Sequence, residues 1–241
     1  METLNSKIAI VTGGGTGIGK SIALALAHQG VNVVICGRRL EALMQTAEEA
    51  DKSNGRIIPV QADSASEEGV NRVIKTTLET FNSRIDVLVN NAGITGGTYI
   101  HKHDVEDWDR VMAINLRGPF LMARAVLPLM RSQFAGHIIN ISSESGLEYY
   151  EGDGAYGVAK HGLVALGELI QRENQAFGIQ VNTVCPGMVV TEMTSYHKNL
   201  IHEKSLFPED IADLVIWLLT RRANIKIGRT VLIQTMENPW M

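Results

Sequence analysis

Lys7-Ile8-Ala9-Ile10-Val11-Thr12-Gly13-Gly14-Gly15-Thr16-Gly17-Ile18-Gly19 is the stretch on which the reading of the chain turns. Its first five residues are mostly apolar, as in a short parallel strand buried on both faces. The glycines that follow allow a tight turn and let the backbone approach a pyrophosphate. From Lys20 to Gln29 apolar residues recur at helical spacing, so the glycines lead into a helix N-terminus. Free N–H groups and the positive end of the helix dipole favour an anion there. Strand, glycine loop and helix in this order are a dinucleotide-binding signature. The spacing is Gly-x-x-x-Gly-x-Gly rather than the commoner Gly-x-Gly-x-x-Gly.

The same alternation continues to the end. Strand-like runs lie near 7–12, 31–36, 56–60, 85–90, 137–142, 179–185 and 229–234, with helical patterns near 17–29, 39–53, 66–82, 106–133, 155–177 and 208–220. Such alternation predicts an α/β, doubly wound Rossmann-type fold, with about seven parallel strands and helices on both faces. A length of 241 residues suits a single domain, residues 1–241. No linker, low-complexity tract or repeat interrupts it. A net charge of −4 and a pI near 6.0 argue against nucleic acid or an anionic membrane as partner. No apolar run approaches ~20 residues, so no membrane span is expected. The start carries no secretory pattern, and a cytoplasmic protein is expected. Cys36 and Cys185 end apolar runs and read as buried, reduced thiols rather than a disulfide.

Tyr156-Gly157-Val158-Ala159-Lys160 carries the clearest chemical signal. On a helix, positions i and i+4 share a face. A phenol with an ordinary pKa of about 10 is a poor proton donor or acceptor near neutrality. A cation beside it favours the phenolate and makes it serviceable. Taken alone the pair also fits an exposed helix face.

Taken in order, Thr12 to Gly19, Asp63, Asn90-Asn91-Ala92-Gly93, Asn115, Ser143, Tyr156 with Lys160, and Pro186-Gly187 followed by Thr191 resemble the short-chain dehydrogenase/reductase family along nearly the whole chain. The resemblance implies a catalytic set of Asn115, Ser143, Tyr156 and Lys160. In that set Tyr156 exchanges a proton with the carbonyl oxygen, and Lys160 depresses its pKa and binds the nicotinamide ribose. Ser143 hydrogen-bonds the oxyanion, and Asn115 holds a water that links Lys160 to solvent. Ser142 is the rival of Ser143, but Ser143 stands thirteen residues before Tyr156, the family's spacing. The resemblance also implies a cofactor set: Gly13, Gly15, Thr16, Ile18 and Gly19 around the pyrophosphate, and Asp63 at the adenine. Asn91, Ala92 and Gly93 follow the fourth strand; Pro186, Gly187, Val189 and Thr191 meet the nicotinamide side. Tyr156 and Lys160 belong to both sets. Asn90 bridges strands beneath the site.

After the second strand the chain reads Cys36-Gly37-Arg38-Arg39. An acid at Gly37 would accept hydrogen bonds from a ribose 2′-hydroxyl. With none there, Arg38 can instead pair with a 2′-phosphate, with Arg39 assisting or merely starting the next helix. NADP(H) is therefore the expected cofactor and NAD(H) the alternative. Thr16 departs from the pattern, because that place is often basic in NADP-using relatives.

The expected activity is NADPH-dependent reduction of a ketone or aldehyde. The alternatives are an alcohol dehydrogenase working oxidatively on a steroid, sugar or polyol, a 3-oxoacyl-carrier-protein reductase, and a non-catalytic NADP-binding sensor. Carrier-specific relatives often place basic residues where this chain has Phe134-Ala135 and Phe177. A short lid near 192–207 suggests an open pocket, with Tyr149, Tyr150, Met188, Met193 and Tyr196 as a possible apolar wall. The acidic loop of Glu144, Glu148, Glu151 and Asp153 is either solvated or attracts a cationic or polyhydroxy substrate. His101, His103, His197 and His202 read as solvated or lid residues, and no metal site is expected. A homodimer or homotetramer is implied through the helices near 106–133 and 155–177. The tail Asn238-Pro239-Trp240-Met241 is a candidate contact to a neighbouring subunit.

Overall fold

A computed structural model of the chain describes residues 3–50, 54–81, 83–195, 197–222, 225, 227–228 and 230–240. Seven strands form one parallel sheet: β1 (Ile8–Thr12), β2 (Asn32–Gly37), β3 (Ile57–Gln61), β4 (Val87–Asn90), β5 (Gly136–Ile141), β6 (Ile179–Pro186) and β7 (Thr230–Ile233). Their spatial order is β3-β2-β1-β4-β5-β6-β7. Seven α-helices connect them: α1 (Gly17–His28), α2 (Leu40–Glu49), α3 (Glu67–Thr80), α4 (Val105–Met112), α5 (Gly118–Gln133), α6 (Gly154–Asn174) and α7 (Pro208–Leu219).

Strand alternation divides the core in two. On one face Ala9, Val11, Val33, Ile35, Val89 and Ile139 pack against α1, α2 and α7 through Ile22, Leu26, Leu43, Ile211 and Val215. On the other, Ile8, Ile10, Val34, Leu88 and Ile138 meet Val73, Met122, Val126 and Ile170 of α3, α5 and α6. Both faces are covered, so the central strands β1, β2 and β4 are largely apolar on both sides, while β5 and β6 carry buried polar residues at Asn140, Asn182 and Thr183. Cys36 and Cys185 are buried and unpaired, and burial pushes the Cys36 thiol up to about 12.

The expected strands and helices are present, with their ends shifted by at most four residues. Residues 51–53 and Asn82, at the ends of two expected helices, lie outside the described residues. The expected helix over 106–133 requires a larger correction. It is two helices joined by a π-helical turn, Ala113–Arg117. Asn115 Nδ2 donates to the carbonyl of Val111, four residues back, at 3.0 Å. That carbonyl is the normal partner of the Asn115 backbone N–H in an α-helix, so the side chain competes with the ladder and the turn widens. Similarly, the pattern over 155–177 becomes α6 followed by a 3₁₀ turn, Gln175–Phe177.

Strand order reverses between β1 and β4. Ligands in open α/β sheets bind outside the carboxyl ends of the strands at that switch point. The loop after β1 carries the glycines and the loop after β4 carries Asn91-Ala92-Gly93.

Candidate active site

A cleft of about 500 Å³ opens at the switch point. Its outer end is lined by Gly13, Gly15, Thr16, Ile18, Arg38 and Asp63. Its inner end is lined by Gly93, Asn115, Ser142, Tyr156 and Lys160.

The two loops at the mouth are tied together by groups the motif does not advertise. Thr12 Oγ1 accepts from the backbone N–H of Asn91 and of Ala92, each at 3.0 Å. Asn91 Nδ2 returns to the carbonyl of Thr12 at 3.0 Å. Gly19 sits against this knot, where a Cβ would lie 2.3 Å from both Asn91 Nδ2 and the Gly13 carbonyl oxygen. Any side chain there would push the loop after β4 away from the loop after β1.

On the outer side, Asp63 lines the cleft while its Oδ1 accepts from Ala65 N at 2.9 Å. Ser66 caps α3 by accepting from Gly69 N at 3.0 Å. Arg38 and Arg39 are exposed and both line the cleft.

At the inner end Lys160 is buried, and its Nζ donates to the Ile141 carbonyl at 2.9 Å. Burial disfavours the ammonium and pulls the Lys160 pKa from 10.5 down to about 8, against a smaller opposing pull from Cys185. Lys160 Nζ lies 5.5 Å from the Tyr156 ring centroid. Asn115 is fully buried, and a Cβ on Gly93 would meet Asn115 Oδ1 at 2.8 Å and Lys160 Nζ at 3.6 Å. One missing side chain therefore leaves the space that brings the amide and the ammonium to the same wall.

Ser142 and Ser143 have different partners. Ser142 lines the cleft, but its Oγ donates to the Lys160 carbonyl at 3.0 Å, a bond that holds α6 to β5. Ser143 is half-buried outside the cleft lining, and its Oγ accepts from Ser145 N at 3.2 Å. Among the described contacts the Ser143 hydroxyl only accepts, so its proton is available to a ligand. Gly19, Pro186, Gly187 and Val189 also lie outside the lining. Gly19 and Pro186 are buried. Val189 pairs with Leu206 beneath the lid, and Gly187 faces Glu144. Met193, expected on the apolar wall, lines the cleft, as do Ser64, Ile94 and Ile114, which lack a signature in the sequence.

The N-terminus of α6, which carries Tyr156, is held by a residue expected to be solvated. His103 Nε2 accepts from Ala155 N at 3.1 Å, and its Nδ1 lies 3.2 Å from the Asp104 carbonyl. An acceptor at Nε2 and a donor at Nδ1 define a neutral imidazole. The ring packs edge-on to Trp108, with centroids 5.5 Å apart.

The acidic loop is partly engaged. Tyr150 donates to Glu144 Oε1 at 2.7 Å, and Gln234 Nε2 donates to Glu144 Oε2. Burial and then Glu144 push the Tyr150 phenol up to about 12. Tyr149 and Tyr150 line a second hollow with Tyr99, Val158 and His161, rather than the first cleft. Tyr196 lies outside the described residues. The described part of the tail lies on the chain's own lid. Ile201 N donates to the Pro239 carbonyl at 3.0 Å, Lys204 pairs with Glu237 at 3.3 Å, and Trp240 packs on His197. Met241 is outside the described residues. Among the described residues no group of three or more His, Cys, Asp or Glu is arranged to hold a metal ion, and no helix is long and apolar enough to cross a membrane.

Comparison with known proteins shows the family. A family model described as short chain dehydrogenase matches residues 7–200. The chain belongs to the short-chain dehydrogenase family. An uncharacterized oxidoreductase of Staphylococcus aureus (strain USA300) is 34% identical over 228 residues, covering 95% of this chain and 97% of that one. A 3-oxoacyl-[acyl-carrier-protein] reductase of Synechocystis sp. is 40% identical over 230 residues, covering 91% and 92%. Among solved structures, a metagenomic short-chain oxidoreductase in complex with NADP superposes with a TM-score of 0.84 at 32% identity, covering 98% of this chain and 100% of that one. Membership makes this short-chain dehydrogenase an oxidoreductase acting between CH–OH and carbonyl groups.

Proposed function

We propose that this short-chain dehydrogenase uses NADP(H) to reduce a ketone or aldehyde. The observation that carries the reading is one continuous cleft, with guanidinium groups at its outer rim and Tyr156, Lys160 and Asn115 at its inner end. The cleft fits a dinucleotide. Side chains are absent where the pyrophosphate and nicotinamide would approach, at Gly13, Gly15 and Gly93, and α1 aims its N-terminus into the gap. A bound reduced nicotinamide would supply the hydride.

The chain's own residues would manage the proton. Tyr156 would give its hydroxyl proton to the carbonyl oxygen, while the Lys160 ammonium favours the resulting phenolate. The free proton of Ser143 would donate to the same oxygen as charge develops on it. Asn115 has both amide hydrogens engaged, by Ile94 and Val111 carbonyls at 3.0 Å each. A relay water would therefore be held by the carbonyls of the widened turn, with Asn115 keeping that turn open.

The expected phosphate clamp is Arg38. Replacing it with Ala is expected to weaken NADP⁺ binding by roughly 10–100-fold, the worth of a charge-assisted hydrogen bond, and to leave NAD⁺ within about twofold. Isothermal titration of the purified protein with both dinucleotides checks this.

A second reading, reduction of a carrier-borne 3-oxoacyl chain, draws support from the 40% identical Synechocystis reductase. The places that are often basic in such enzymes hold Phe134 and Phe177 here, but Arg131 stacks over the Phe177 ring at 4.0 Å and returns one guanidinium to that patch. A carrier-bound 3-oxoacyl thioester therefore belongs beside free ketones and aldehydes in the substrate panel. Assembly as a homodimer or homotetramer is part of the proposal, supported by Phe120, Val158 and Leu169 exposed on α5 and α6. So is a cytoplasmic location, which suits two free buried thiols.

A further inference from the structure

The Arg39 guanidinium is already engaged. Its Nη1 donates to Glu192 Oε1 at 2.8 Å and its Nη2 to Glu192 Oε2 at 2.7 Å, a filled bidentate fork. Nη2 also reaches Thr16 Oγ1 at 3.2 Å. The three residues come from three separate turns: the glycine loop, the end of β2, and the turn that opens the lid. All three line the cleft. Arg38 beside them makes no side-chain hydrogen bond or ion pair among the described residues; only its carbonyl is used, accepting from Gln61.

We infer that Glu192 is a specificity-determining residue for the cofactor, occupying the Arg39 fork that a ribose 2′-phosphate would otherwise take. This rests on the NADP(H) reading above. Thr16 leaves the glycine loop without the basic side chain often found there in NADP-using relatives. Arg39, at hydrogen-bond distance from Thr16 Oγ1, brings a guanidinium back to that place from the next strand. Carboxylate and phosphate engage a guanidinium with the same paired geometry, so they compete for one fork. Glu192 also sets a negative charge at the rim, which opposes an incoming dianion. Both partners are 60% exposed, so the pair adds little to the fold and parts readily when a stronger ligand arrives. The result is a tempered preference: Arg38 supplies the phosphate contact, and Arg39 joins only by giving up Glu192.

The test is isothermal titration of the full-length protein with NADP⁺ and with NAD⁺, for wild type, Glu192→Gln, Arg39→Ala, their double variant and Arg38→Ala. Glu192→Gln is expected to tighten NADP⁺ about three- to tenfold and to leave NAD⁺ within about twofold. The gain is expected to fall by half or more in the Arg39→Ala background. Unchanged or weaker NADP⁺ binding in Glu192→Gln overturns the inference. So does an equal shift for both dinucleotides, or a gain undiminished without Arg39. Arg38→Ala separates this from the underlying reading. Selective loss of NADP⁺ there, with no gain in Glu192→Gln, removes only the role of Glu192. No selective loss in Arg38→Ala removes the NADP(H) reading itself.

Discussion

Tyr156→Phe is expected to lower kcat for carbonyl reduction by roughly 10²–10⁴-fold, the usual worth of a positioned general acid. The dissociation constant for NADPH is expected to stay within about twofold of wild type. The argument is local. Tyr156 is half-buried in the first turns of α6, and its ring lies 5.5 Å from Lys160 Nζ. Phenylalanine keeps the ring and its packing and deletes only the oxygen that would carry the proton. Single-turnover rates with saturating NADPH, alongside a direct binding titration, separate the two effects. Turnover within tenfold of wild type would remove Tyr156 from the acid role, and loss of binding would mean that the hydroxyl holds cofactor rather than substrate.

Lys160→Met is expected to abolish turnover and to stabilise the cofactor-free protein near neutral pH. The sign follows from burial. The folded-state pKa of Lys160 is about 8, depressed from 10.5 chiefly by desolvation. Between those two values the unfolded chain binds a proton that the folded chain does not, so stability rises with pH across that window. Below about pH 8 both states are charged, and the folded protein carries the full cost of the buried ammonium, on the order of 3 kcal/mol. Methionine removes that cost but leaves the Ile141 carbonyl without its donor, which costs about 1 kcal/mol or more. The expected net gain is about 1–2 kcal/mol near pH 7, disappearing near pH 10. Cys36 and Cys185 act in the opposite direction, because their raised pKa values make stability fall as pH rises past 9. Both are present in both proteins, so in the wild-type-minus-variant difference in urea unfolding Cys36 cancels, and Cys185 leaves only its small coupling to Lys160. A difference that is constant between pH 7 and pH 10 would contradict the assigned environment. A positive result fits a site that gives up stability to keep a cation where a proton must move.

The parts of the molecule legible in the sequence are those fixed over short spans. The glycine loop declared itself because strand, turn and helix are contiguous, and Tyr156 and Lys160 because helical spacing puts them on one face. Seven strands are countable because both sheet faces are covered and each strand holds a short apolar stretch between helical patterns. What escaped depends on partners far away in the chain. The Asn115 side chain that widens the turn at Ala113–Arg117 through Val111 is also held by Ile94, twenty-one positions back. His103 reads as a loop histidine until Ala155 arrives fifty-two positions later to donate to it. Arg39 meets Glu192 across 153 positions, and neither residue type nor local pattern marks the pair. Thr12 looks like the end of a strand, although its hydroxyl joins the two loops that shape the cleft. Ser142 and Ser143 could be ordered by spacing, but only the bond from Ser142 to the Lys160 carbonyl explains why the first is structural.

The most direct test of the central claim is titration of the purified protein with NADPH and with NADH, followed by the fluorescence of the reduced nicotinamide. The account predicts saturable binding of both, with NADPH at least about tenfold tighter through the Arg38 contact. Equal affinities, or tighter NADH, would contradict the reading of Gly37-Arg38-Arg39, and no saturable binding of either would contradict the assignment of the cleft.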